Sequence, residues 1–163
     1  MKRTRYGKHD IAAEWGRRYL SRRAEVDLEL VELEDSSFHL IVPVEIDGVR
    51  GDMIVDTGAS VTVGERKLFP GKELEGAEVK VQSGSVSGQI EDVRIIRADV
   101  FRLGGRKIKD FRLAAMDLEY VNEMYDKHLS RKIIGLLGCD FFVNYRAVID
   151  YSRKKLTLNF GKN

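Results

Sequence analysis

Cysteine is nearly absent from this sequence: Cys139 is the single one in 163 residues. That excludes a disulfide within one chain and suits a reducing compartment, so a cytoplasmic location is expected. Long apolar runs are missing too. The best of them, "HLIVPV" and "IIGLLG", fall far short of the roughly 20 residues a membrane-spanning helix needs. No continuous apolar segment follows the basic N-terminus, so no secretory signal is expected. The three histidines, His9, His39 and His128, are too scattered for a metal-ligand spacing and are read as structural or surface residues. No fixed-period repeat is visible. What remains, 43% apolar and 33% charged residues, suits one well-packed globular domain.

Charge is unevenly spread. The chain carries a net +2, but residues 1–23 hold eight Lys/Arg against Asp10 and Glu14, so the remainder is net −4. This marks residues 1–35 as a basic N-terminal extension. Within it Ile11, Trp15 and Tyr19 recur at helical spacing with arginines on the other faces, which predicts an amphipathic helix over about 10–24 with Asp10 as N-cap. Its apolar stripe can dock on the domain and leave the arginines solvated. Contact with nucleic acid or an anionic membrane is the alternative reading.

From residue 36 the apolar period changes to two. "SSFHLIVPVEI" and "VRGDMIVD" flank Asp47-Gly48, a hairpin signal. Pro43 points to an edge or bulge. The embedded Arg50-Gly51-Asp52 is a chance match to an adhesion tripeptide. "AEVKVQ" and "IEDVRIIRADV" flank "SGSVSG", and "FRLGGRKIKDFRLAAMDL" supplies two strands about Gly104-Gly105. "EYVNEMYDKHLS" is helix-like or irregular, "CDFFVNY" a short helix candidate and "AVIDYSRKKLTLNF" a final hairpin. The expectation is a mostly β domain over 36–163 with one or two short helices.

The chemistry concentrates in "MIVDTGASVTVGERKLF", where an apolar strand runs into Asp56-Thr57-Gly58-Ala59-Ser60. A carboxylate at the end of a buried strand is costly unless something requires it. An isolated Asp-Thr-Gly also reads as an ordinary turn. Here it is followed in order by a Gly-containing hairpin, by "LLGCDFF" and by "AVIDYSRKKLTL". With that context, residues 37–160 resemble the retropepsin-like family of single-lobe aspartic proteases.

The resemblance implies a closed β-barrel half-lobe with a flap hairpin, acting as an aspartic endopeptidase on extended polypeptides. Such hydrolysis uses two carboxylates sharing one proton, one activating water and the other polarising the scissile carbonyl. With a single Asp-Thr-Gly per chain, the second carboxylate must come from a second copy, so a homodimer is implied. Asp56 is then the catalytic acid/base. Thr57 locks the two active-site loops together, and Gly58 permits close backbone approach. The Ala59 and Ser60 backbone holds substrate, and the glycine-hinged loop containing Gly84, Ser85 and Val86 closes over it. Leu136-Leu137-Gly138 passes beneath the loop. No metal or organic cofactor is implied.

One departure stands out. Retroviral members pair an Asp two residues after the glycine with an Arg after the later glycine. Here those positions are Ser60 and Cys139, so both ion-pair partners are missing together and no charge is stranded. Cys139, without a histidine nearby in sequence, is read as a buried small hydrophobe. Asp140 and Asp150 lack the triplet context and are not read as the second carboxylate. "SGSVSG" lacks the Lys-Ser/Thr and helix of a phosphate loop. The same fold could also serve as a non-catalytic dimerisation or peptide-binding module.

Overall fold

The chain reverses through Asp47 and Gly48, whose φ angles are 48° and 85°, the positive-φ pair of a two-residue hairpin turn. That turn joins β3 (Ser37–Ile46) to β4 (Val49–Val55). Residues 22–78 and 93–161 are described by the computed structural model. The other strands are β1 (Arg23–Asp27), β2 (Glu29–Glu34), β5 (Val63–Glu65), β6 (Glu73–Glu78), β7 (Arg94–Leu103), β8 (Arg106–Met116), β9 (Ile133–Leu137), β10 (Val148–Asp150) and β11 (Lys155–Asn159). Two helices, α1 (Glu119–Leu129) and α2 (Cys139–Asn144), flank β9. None among the described residues is long and apolar enough to cross a membrane.

Six strands close on themselves in the order β3-β4-β9-β5-β8-β7, with β7 pairing back to β3. β4–β9 and β5–β8 are parallel and the other pairs antiparallel. β2 and β6 extend the ring, and β1-β11-β10 form a separate small sheet. The mostly β barrel expected from the sequence is thus present. Its strands bury alternate side chains, on β7 in two phases: Ile96 and Ala98, then, after a shift at Asp99–Val100, Phe101 and Leu103.

Phe141 of α2 meets Phe101 and Phe111 edge-on at 5.8 and 6.0 Å, while those two stack at 4.5 Å. Each such pair contributes about 0.5–1.5 kcal/mol beyond its buried area. They pin α2 against the barrel. On another face α1 buries Tyr125 among Val31, Leu33, Ile41, Ile54 and Ile133. The Tyr125 hydroxyl lies 2.7 Å from His39 Nδ1. Burial, with the nearby Asp52 charge, pushes Tyr125 up to about 12. His128 Nε2 lies 3.7 Å from Glu34, and His9 is outside the described residues.

Two sequence expectations meet a different structure. Residues 23–34, assigned to the extension, are strands: β1 pairs with β11 and β2 with β3, and Ala24, Val26, Leu28, Val31 and Leu33 are buried. Of the helix drawn over 10–24 only the last three positions are described: Arg22 is helical, and Arg23 and Ala24 begin β1. Alternation in "AEVDLELVELE" carried this signal, but its phase slips between Leu30 and Val31 and dense acidic residues hide it. Pro43 sits within β3, which is no edge strand. β2 pairs up to Ile41 and β7 from Val44, so Pro43 falls in the gap where neither neighbour needs its missing N–H.

The turn also yields a prediction. Asp47 accepts the Val100 and Asp99 N–H groups at 2.8 and 3.2 Å and meets Lys72 at 3.2 Å. Burial alone would raise its pKa, but these donors outweigh that and hold it below 3.8. A carboxyl lowered on folding stabilises above its unfolded value, and that contribution is lost as pH falls through the folded one. Asp47→Asn should therefore lose less stability than wild type in urea titrations as the pH is taken down from about 4. Parallel profiles would contradict this account.

Candidate active site

Asp56 follows directly on β4, and its N–H donates to the Leu137 carbonyl at 3.0 Å. The strand beneath is β9, with β4 on one side and β5 on the other: Val55 lies opposite Leu137 and Val63 opposite Leu136. The chain must therefore leave β4, arch over the end of β9 and rejoin the sheet at β5. Residues 56–62 are that arch. The apolar Leu136-Leu137-Gly138 run supplies its support.

Within the arch, Asp56 Oδ1 accepts the Gly58 N–H at 2.9 Å, and the Ala59 N–H reaches the Asp56 carbonyl at 3.3 Å. This is a side-chain-closed turn, which Asp forms readily. A Cβ on Gly58 would sit 3.2 Å from Asp56 Oδ1, tight enough to press on that carboxylate. Asp56 is half-buried, whereas Thr57, Gly58 and Ser60 are exposed. Among the described residues no second carboxylate contacts Asp56. Gly84, Ser85 and Val86 lie outside the described residues.

The far side of the arch is tied to α2. The Cys139 N–H donates to the Ala59 carbonyl at 2.8 Å and the Asp140 N–H to the Ser60 carbonyl at 3.3 Å. The Cys139 thiol donates to the Thr57 carbonyl at 3.1 Å. Cys139 is half-buried rather than the buried hydrophobe expected, because its sulfur serves the arch from the helix start. Where an ion pair was expected to be missing, Ser60 and Cys139 are instead joined to the same network through main chain and thiol.

Thr62 carries an unforeseen part of that network. Fully buried, it donates from Oγ1 to Asp140 Oδ1 at 2.8 Å and accepts the Gly138 N–H at 3.1 Å. Asp140 Oδ1 also accepts the Phe141 N–H at 2.8 Å, so this carboxylate is spent on the helix start. A buried hydroxyl needs partners, and a lone polar residue between Val61 and Val63 was the available signal. Together the contacts present one carboxylate on a braced, accessible turn, able to orient or deprotonate a water molecule.

Residues 42–141 match a family model described as aspartyl protease. A comparison with curated proteins finds no match. Among solved structures, the chain is similar to a retropepsin-like aspartic protease from Rickettsia conorii, at 16% identity and TM-score 0.48, covering 85% of this chain and 89% of that one. It is also similar to the retroviral protease-like domain of Ddi1 from Leishmania major, at 17% identity and TM-score 0.47, covering 74% and 86%. Because the family match spans more than half of the chain and contains both the Asp56 arch and the strand that supports it, the chain belongs to the aspartyl protease family.

Proposed function

We propose that this chain is an aspartic endopeptidase assembled from two copies, each supplying Asp56 to a shared centre. The observation that carries this reading is the Asp56 carboxylate itself, half-buried on a braced turn and accepting only the Gly58 N–H among the described residues. One such group is half of a proton-sharing pair, and the chain has a single Asp-Thr-Gly. A twofold arrangement supplies the other half.

In the proposed reaction, one Asp56 takes a proton from water as the oxygen attacks the scissile carbonyl. Its protonated twin gives a proton to the carbonyl oxygen. The tetrahedral adduct then collapses. The Asp56 that took the proton from water gives it to the nitrogen, and its twin takes one back from a hydroxyl of the adduct. The C–N bond breaks to release amine and carboxylic acid. Thr57 links the two arches, the Ala59 and Ser60 backbone aligns an extended polypeptide, and Gly84, Ser85 and Val86 are assigned to binding the same polypeptide.

The test is the order of the reaction in protein. Peptide cleavage per chain should rise with chain concentration and level off where light scattering shows two-chain particles. A constant rate per chain, together with a one-chain mass throughout, would overturn the shared-site reading.

A further inference from the structure

The outer face of the β7–β8 hairpin opposes like charges. In register, Arg97 faces Arg112 and Arg102 faces Lys107. Such pairs weaken a ladder. Carboxylates answer some of them: Arg97 pairs with Asp110, Arg102 with Glu45 at 3.2 Å and Arg94 with Glu73 at 2.6 Å. Six cations are not answered. Among the described residues Arg22, Arg23, Arg106, Lys107, Lys109 and Arg112 have no carboxylate within 4.0 Å.

Lys107, Lys109 and Arg112 form a band along the outer face of β8, and Arg106, which leaves the strand on the opposite face beside Leu103, links its end to the start of β1. Arg106 donates across to the Arg23 carbonyl at 2.9 Å, and its guanidinium lies 5.4 Å from the centre of the Phe160 ring. The start of β1 therefore abuts the turn of the hairpin. Residues 22, 23 and 94–112 together hold nine Lys/Arg against Asp99 and Asp110, a net +7 in a chain of net +2. The sequence just before Arg22 is basic as well: residues 1–21 are net +4.

We propose that this band binds the sugar-phosphate backbone of a nucleic acid. Lys107 and Lys109 are two residues apart on one strand, a repeat of about 6.6–6.8 Å. A ligand that matches such a repeat along the hairpin must carry charge at every unit. A phosphate backbone does so by construction, whereas a polypeptide needs an unbroken acidic run. Four of the six unanswered cations are arginines, whose planar fork suits phosphate oxygens. A membrane surface is the weaker fit, because interfacial binding also uses apolar insertion. Among the described residues the large exposed apolar side chains, Phe38, Tyr120, Val143, Val148 and Tyr151, all lie outside the band. It also uses no residue of the Asp56 arch.

The test uses the full chain and a fluorescein-labelled 20-nucleotide strand, single and duplexed, with anisotropy read across a potassium chloride series. The exposed triple variant Lys107→Glu, Lys109→Glu, Arg112→Glu should bind at least tenfold more weakly at low salt. Its log–log salt slope should fall by about three, one per lost phosphate contact. A control triple, Lys127→Glu, Lys132→Glu, Lys154→Glu, changes net charge equally elsewhere and should keep most of the affinity. Equal loss in both triples, no loss in the first, or tighter binding to phosphatidylserine vesicles or polyglutamate than to the oligonucleotide would each overturn the proposal.

Discussion

Asp56→Asn is expected to abolish measurable peptide turnover while leaving the fold intact. The amide is nearly isosteric, and its oxygen can still accept the Gly58 N–H that closes the turn at 2.9 Å. The Asp56 main-chain bond to Leu137 is unaffected by the side chain. What disappears is the group that carries a proton to and from the reacting atoms. Positioned acid–base groups are worth about 10²–10⁴-fold each, and a twofold pair loses both at once. Casein-type peptide turnover at mildly acidic pH should fall by at least that factor. Thermal unfolding should stay within about 0.5 kcal/mol of wild type, the ordinary range for surface changes. Equal turnover by the two proteins would end the catalytic claim. Wild type that holds extended peptides without cutting them would make this a binding module of the same fold.

Gly138→Ala is expected to damage stability and activity together. A Cβ at this position would lie closer than 3.0 Å to the Val61 carbonyl and the Thr62 nitrogen. Those atoms are main chain, so no rotamer change relieves the clash. The Gly138 N–H must also stay aimed at Thr62 Oγ1, 3.1 Å away. Overpacking of this kind costs typically about 1–3 kcal/mol, which in a domain of this size lowers Tm by roughly 2–4 °C per kcal/mol. The displaced atoms belong to the arch, so any activity that Asp56 confers should drop more than the stability loss alone explains. Gly161→Ala, where the nearest atom would be 3.9 Å away, serves as the control and should shift stability by no more than about 0.5 kcal/mol. Matched behaviour of the two variants would refute the close-approach argument.

Elements set by local rules could be read directly. Asp47-Gly48 and Gly104-Gly105 mark two hairpins because positive φ is needed within two residues. "CDFFVNY" yields α2, and the last apolar runs yield β10 and β11. The Asp56 turn is equally local, since it closes on its own side chain. The strands before residue 36 were not legible: their alternation breaks phase at Leu30–Val31, and only pairing with β11 and β3 resolves it. Thr62 carries no local sequence signature beyond a polar residue between two valines. Its hydroxyl matters because Asp140, 78 positions later, is folded against it.

Chain order alone was enough for a barrel-forming β protein with one acidic turn per copy, because turn chemistry and apolar period act over a few residues. Long-range pairing supplied the rest. The insertion of β9 between β4 and β5, the return of β7 to β3, and the bracing of the arch by Gly138, Cys139 and Thr62 join segments tens of residues apart. No local preference encodes those contacts: each is favourable only once the closed barrel has already brought its two halves together.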